Sequence, residues 1–249
     1  MKIDVLDHGY VEFIEAWGTG KGGKLGDPDD NIMQHLNWDH EVGVIEAARQ
    51  STQGSFRGWD MDQKLLAFLH NNRHATPFEF AGMVLEVQAP IFVFREWHRH
   101  RTQSYNEMSA RYSPLPDLYY IQTLERVMQN GGTNKQASGV AESEQLTEET
   151  AKEWLSALGD YEGMYHHCEL WYKNALQRGI SKELARVIMP VGHYSRMRAS
   201  ANLRNWLSFL TLRMAPNAQW EIREYANAVG KCIEQAFPQT WKLFTEATK

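Results

Sequence analysis

Residues 95–112 read Arg-Glu-Trp-His-Arg-His-Arg-Thr-Gln-Ser-Tyr-Asn-Glu-Met-Ser-Ala-Arg-Tyr. Arg95, Arg99, Arg101 and Arg111 stand there with His98, His100, Ser104, Asn106, Ser109 and two tyrosines, and with only two acids, Glu96 and Glu107. Core packing does not call for that mixture. Guanidinium forks bind phosphate and carboxylate bidentately. Serine, asparagine and glutamate supply the neutral and acidic partners that a base or sugar needs, and Trp97 and the tyrosines offer flat faces. The stretch reads as a nucleotide site rather than a solvated run of charge.

A second cationic field follows. Residues 184–220 contain no Asp or Glu, yet hold Arg186, Arg196, Arg198, Arg204 and Arg213 with His193 and Tyr194. Arginines without a local counter-charge find their anion in a ligand, in a partner subunit or in a distant acid. Glu162, Glu169 and Glu221 are the intramolecular candidates; for the group as a whole, a phosphate contact is the better reading.

The elements that must position these residues follow from periodicity and punctuation. Residues 2–17 read as a strand followed by a turn at His8-Gly9. Residues 39–51 read as a helix with Val42, Ile45 and Ala48 on one face and Asp39 as N-cap. A second helix spans 61–71, a strand 83–88, and Pro90 opens a short helix over 91–98 that delivers the arginine-rich stretch. Pro114 and Pro116 make 113–120 irregular. Thr147 caps one long amphipathic helix to about Gln177, stopped by Gly179. Further helices are expected at 181–188, 202–213 and 219–237, with a strand at 193–199. With no repeat and no linker, residues 1–249 read as one α+β domain, a mainly antiparallel sheet packed against long helices. Segments 18–35 and 128–147 read as loop insertions.

The bulk numbers exclude several classes. At 249 residues, 43% hydrophobic and 23% charged, the chain has an ordinary globular composition. A net charge of −5 opposes general nucleic-acid binding and makes the arginine clusters local features. Two cysteines give no disulfide framework and suit a cytoplasmic protein. No apolar run approaches the roughly 20 residues that span a bilayer.

Other motifs carry less. Gly18-x-Gly20-x-x-Gly23 fits a dinucleotide fingerprint, and residues 18–24 fit a phosphate loop until Leu25 replaces its Ser or Thr. Both motifs need a helix at the glycines, and Gly26, Asp27 and Pro28 oppose one. His166, His167 and Cys168 are consecutive on a helix, so they point about 100° apart and cannot converge on a metal. No metal is expected. Cys168 and Cys232 lack an adjacent arginine field, and Ser109 has no base beside it, so no covalent nucleophile is expected. Trp97, Trp206 and Trp220 read as core residues.

Arg99-His100-Arg101, seven residues and Ser109, with Ser104, Asn106, Glu107, Arg111 and Tyr112, resemble the signature of the flavin-dependent thymidylate synthases. Residues 182–190 and 202–213 resemble two further family stretches. Residues 74–79 are similar to an element near the flavin, and 47–51 match a family helix end.

The resemblance implies methylation of 2′-deoxyuridine 5′-monophosphate (dUMP) to thymidylate (dTMP). Carbon would come from methylenetetrahydrofolate, and reducing equivalents from NADPH through FAD. It implies dUMP contacts from Glu96, Trp97, His98, Arg99, Glu107, Met108, Ser109, Ala110, Arg111, Arg186 and Arg213. It implies FAD contacts from His74, Thr76, Arg99, His100, Arg101, Glu107, Asn202, Arg204 and Ser208. Arg213 would sit against the uracil as the catalytic cation, stabilising charge on its N3–C4–O4 side. Ser208 departs from the family, which often has Asn or His there. The family works as a homotetramer with shared sites. The rival readings are a nucleic-acid-binding module using the same arginines, with salt-dependent affinity, and a metal-dependent phosphohydrolase, for which Asp27, Asp29, Asp30 and His35 are the nearest cluster.

Overall fold

Strands β3 (Gly82–Pro90) and β5 (Tyr194–Asn202) form the spine of the chain, paired antiparallel from Gly82↔Asn202 to Pro90↔Tyr194. The computed structural model describes residues 1–20, 39–129 and 146–247. Away from their ends both strands alternate. Met83, Leu85, Val87 and Ala89 of β3 and Met197, Ala199 and Ala201 of β5 are buried on one face. Glu86, Arg196 and Arg198 lie on the other, as period-2 geometry requires.

The sheet runs β1-β2-β3-β5-β4 and is antiparallel throughout. The hairpin of β1 (Lys2–Val5) and β2 (Gly9–Trp17) turns through Leu6, at φ 58°. Gly9 is required at its close: a Cβ there would meet the Tyr225 hydroxyl at 1.9 Å. A bulge between Phe13 and Glu15 shifts the register of β2 against β3. The edge strand β4 (Ser104–Glu107) pairs with β5 alone.

Helices α1 (Val42–Arg49), α2 (Trp59–Asn71), α3 (Ile91–Trp97), α8 (Leu203–Arg213), α9 (Trp220–Ala236) and α10 (Pro238–Ala247) supply residues to the core on the apolar face, while α4 (Leu124–Met128), α5 (Glu148–Gly159), α6 (Met164–Gln177) and α7 (Lys182–Ala185) pack in succession outside it. The most deeply set is α9, whose Ile222, Tyr225, Ala226, Val229 and Ile233 pack into the core with Trp206 and Phe209 of α8.

The expected α+β architecture is the one observed, with three corrections. Residues 147–177 form two helices, not one. After Gly159 the backbone of Asp160 turns extended, and Gly163 N–H closes the turn on Asp160 O at 2.7 Å. At Gly163 a Cβ would meet Asp160 O at 2.8 Å, so this glycine fixes the corner. The 39–51 helix is shorter: Asp39 precedes the N-cap Glu41 and accepts its N–H at 3.0 Å, while residues 50–52 are a 3₁₀ turn. Strand β4 and helices α4 and α10 were not anticipated. The glycine-rich segment beyond Gly20 and most of the 128–147 insertion lie outside the described residues.

Candidate active site

The arginine-rich stretch is a helix end, a tight turn and an edge strand pinned from below. Pro90 N-caps α3, and after Trp97 the turn continues through His98 N–H to Phe94 O (2.8 Å) and His100 N–H to Trp97 O (3.0 Å). Trp97 is fully buried, its ring centroid 4.5 Å from that of Phe209 and its indole N–H donating to Gln103 Oε1 at 3.0 Å. The Tyr105 hydroxyl donates to the carbonyls of His100 (2.8 Å) and Trp97 (3.2 Å). This buried pin leaves Arg99 and Arg101 exposed, with no ion pair among the described residues. The Trp97 side chain is therefore no platform for a ligand, contrary to its place among the expected dUMP contacts. His98 lies against Tyr105, ring centroids 4.7 Å apart.

Arg213, last residue of α8, reaches into the same turn. Its Nη1 donates to Glu96 Oε2 at 2.6 Å, Nη2 to Glu96 O at 2.8 Å and Nε to His100 Nε2 at 2.9 Å. Because His100 accepts at Nε2, its ring is the neutral tautomer with the proton on Nδ1. Burial, reinforced by the Arg213 charge, lowers the His100 pKa to about 4. The imidazole thus orients Arg213 without competing for its charge.

Beyond β4, Met108 N–H bonds Arg196 O at 2.7 Å and a turn closes on Ser109 O through the amides of Tyr112 (3.0 Å) and Ser113 (3.2 Å). Ser109 Oγ accepts the Arg111 amide at 3.3 Å. Ala110 is buried, while Glu107 and Arg111 are exposed. Arg111 Nε donates to Glu183 Oε2 at 3.0 Å, and Lys182 Nζ to Tyr112 O at 2.8 Å. These two bonds fasten α7 to the turn, so that exposed Arg186, four residues beyond Lys182, belongs to the same locality.

The other expected group surrounds the opposite end of α8. A cavity of about 320 Å³ is lined by Ala48, Leu69, His74, Ala75, Thr76 and Pro77. His74 meets Phe68 edge-on, with centroids 5.4 Å apart. Arg204 pairs with Glu79, which ties α8 to the 3₁₀ turn Thr76–Phe80. Asn202 is the N-cap of α8, its side chain accepting from Asn205 N–H at 3.0 Å, and Ser208 Oγ donates back to Arg204 O at 3.1 Å. At 1.5 Å per residue, Arg204 and Arg213 stand roughly 14 Å apart along one helix. Nine residues apart, the two leave α8 on opposite sides, so the helix separates the two expected groups along its length and around its axis.

The arginine field beyond residue 184 is more compensated than its composition implies. Arg196 and Arg198 approach Glu86 at 3.9 and 3.7 Å, Arg204 pairs with Glu79 and Arg213 with Glu96. The expected acids serve elsewhere: Glu169 holds Lys173 and Glu221 holds Arg126. Arg186 alone of the five has no ion pair among the described residues. Glu79, Gln103, Tyr105 and Glu183 are supports that sequence reasoning did not single out. Glu79 and Glu183 lay inside the motif stretches, but their pairing depends on the fold. Of the cysteines, Cys168 is half-buried, and burial pushes the Cys232 thiol up to about 12.

Comparison with known proteins accords with this geometry. The family described as thymidylate synthase complementing protein matches residues 32–239. A flavin-dependent thymidylate synthase of Thermus thermophilus is 33% identical over 99% of this chain and 79% of its own length. One from Thermotoga neapolitana is 32% identical over 98% of this chain and 94% of its own. Among solved structures, the UMP/dUMP methylase PolB of Streptomyces cacaoi, bound with 5-Br dUMP, superposes with a TM-score of 0.75 at 26% identity, covering 98% and 97% of the two chains. With its signature stretch folded around a fixed Arg213 and its sequence matched nearly end to end, this chain belongs to the flavin-dependent thymidylate synthase family.

Proposed function

We propose that the chain methylates dUMP to dTMP, with methylenetetrahydrofolate as carbon donor and FAD, reduced by NADPH, as cofactor. The observation that carries this reading is the fixed guanidinium of Arg213, held by Glu96 and His100 beside Arg99 and Arg101, which have no ion pair among the described residues.

The residues fit both ligands. A nucleotide phosphate needs charge-assisted donors, and Arg99, Arg111 and Arg186 supply them beside the Ser109 hydroxyl. Glu107 and the backbone of 108–110 border the same turn. The FAD pyrophosphate is met by Arg101 and Arg204, with His74 and Thr76 lining the cavity and Asn202 at the N-cap of α8. When bound, FAD carries the hydride between NADPH and the transferred carbon. Arg213 stabilises negative charge on the N3–C4–O4 side of uracil, so that C5 attacks the carbon donor. It acts as a cation and not as a base, because guanidinium stays protonated. Neutral His100 keeps that charge in place, and the packed Trp97–Phe209 floor excludes water beneath. No covalent enzyme intermediate enters this scheme.

Residues 1–249 serve as one catalytic domain in this reading, with 18–35 and 128–147 as insertions. Exposed Trp171, Leu184, Val187 (78%) and Val191 favour a homotetramer with shared sites. No described helix is long and apolar enough to cross a membrane, and the two free cysteines fit a cytoplasmic location. The test is an anaerobic absorbance titration of purified protein with NADPH, with and without dUMP, followed by dTMP analysis after adding methylenetetrahydrofolate. A flavin spectrum that bleaches and dUMP-dependent dTMP are the expected results; a protein that neither carries nor takes up FAD overturns the reading.

A further inference from the structure

The signature turn rests on one stripe of α8. Asn205, Phe209 and Arg213 follow one another at intervals of four and so share a side of the helix. Each meets the turn at a different point. Asn205 Nδ2 donates to Thr102 O at 3.4 Å, the Phe209 ring lies 4.9 Å from that of His100, and Arg213 Nη2 donates to Glu96 O at 2.8 Å. The backbone at His100, midway along the turn, is not held by this stripe.

That task falls to the edge of the sheet. Ser104, Asn106 and Glu107 of β4 are exposed, while Tyr105, opposite buried Ala199, turns inward and packs against the core. Its hydroxyl lies 2.8 Å from His100 O and 3.2 Å from Trp97 O, and so serves two carbonyls where α3 ends. Burial raises its pKa, which keeps the phenol protonated and a donor. His100 is thereby fixed at both ends. Tyr105 holds its carbonyl, and its ring sits edge-on to Phe209 with Nε2 accepting from Arg213 Nε at 2.9 Å.

We propose that Tyr105 is a positioning residue for the reaction: its hydroxyl sets the His100 backbone, and the His100 imidazole in turn aims the Arg213 guanidinium. The inference rests on the reading of Arg213 as the group against the uracil. Glu107 is two residues along the same strand, so one short element keeps the nucleotide turn and the cation in register. A misaimed charge loses transition-state stabilisation before it loses its hold on the bound substrate, so the cost falls on kcat.

Tyr105→Phe keeps the ring, with its 4.7 Å contact to His98, and removes only the hydroxyl. In the FAD-loaded enzyme, kcat for dTMP formation is expected to fall roughly 10- to 100-fold, with the KM for dUMP changed by less than about threefold. A histidine NMR titration gives a readout that weakened packing elsewhere would not move: the His100 midpoint rises from about 4 toward 6.5 as the ring loosens. Asn205→Ala is the control, since it removes another side-chain bond to the same turn without touching His100, and its kcat should stay within about threefold of wild type. Wild-type kcat and an unmoved His100 midpoint in Tyr105→Phe overturn the proposal. An equal loss in Asn205→Ala does so too, because the turn is then merely loosened. Arg213→Ala separates the two levels: undiminished dTMP formation there sinks the reading of Arg213 and the proposal with it, whereas loss there beside an unaffected Tyr105→Phe sinks the proposal alone. Flavin content and thermal midpoint of each variant establish that it is folded.

Discussion

Arg111 and Glu183, 72 residues apart in sequence, meet at 3.0 Å on the surface, each side chain more than half exposed. An exposed pair of this kind contributes about 0–1 kcal/mol to stability. Its effect is on availability, because the proposed phosphate-binding guanidinium already holds a carboxylate.

Replacing that carboxylate should therefore favour substrate. Glu183→Ala is expected to lower the KM for dUMP severalfold at low ionic strength while leaving the thermal midpoint almost unchanged. The gain should shrink as salt rises, since the competition is between exposed charges. A raised KM would show that Glu183 aims Arg111 instead of occupying it.

His100 sets an acid limit. Its pKa falls from 6.5 to about 4 chiefly through burial and secondarily through Arg213. Between those values the unfolded chain binds a proton that the native state does not, so stability is full above 6.5 and is lost as pH falls toward about 4. The histidine NMR titration should place His100 well below the ordinary range, and His100→Gln should flatten this limb of the stability curve. A midpoint near 6.5 would remove the neutral acceptor on which Arg213 rests.

Glu41 behaves in the opposite sense. Fully buried, it accepts the amides of Gln239 (2.9 Å) and Thr240 (2.6 Å) in the first turn of α10. Burial outweighs those bonds and raises its pKa from 4.5 to about 7. The native state binds the extra proton, so this contribution is full below 4.5 and is lost as pH rises through about 7. Glu41→Gln should abolish that slope in urea titrations. Glu41→Ala leaves two amides without their acceptor and should cost about 1–3 kcal/mol at any pH.

Trp97 offers a separate check, on position. A side chain packed at 4.5 Å on Phe209 contributes to the core and not to a ligand surface. Trp97→Phe should lower the thermal midpoint yet leave the KM for dUMP within about twofold; Trp97→Ala, by cavity formation, should cost about 3–5 kcal/mol.

Much of the site was legible because its chemistry is local. Arg95 to Tyr112 announces a nucleotide locality by residue type alone, and the alternation of 83–88 announces the buried strand that leads into it. What escaped was non-local. Strand β4 is four residues of Ser-Tyr-Asn-Glu with one half-buried side, so period-2 patterning has nothing to detect; only pairing with β5 makes it a strand. The apparent surplus of arginines after residue 184 dissolves into Glu79, Glu86 and Glu96, acids that lie a hundred or more positions earlier in the chain. The corner at Asp160–Gly163 was signalled by Gly159 and Gly163, and the longer amphipathic pattern concealed it.

That distance along the chain has a consequence in time. Glu96 and Arg213 are 117 positions apart, and β3 finds β5 only after the long excursion through α4 to α7. Contacts of such separation form late, since the entropy of closing the intervening loop must be met first. During synthesis the signature stretch emerges from the ribosome well before the cation that completes it, and β3 waits with one edge open. Chains arrested before β5 should be blind to nucleotide, and ligand should accelerate only the last folding step, when the two ends of the excursion zip together.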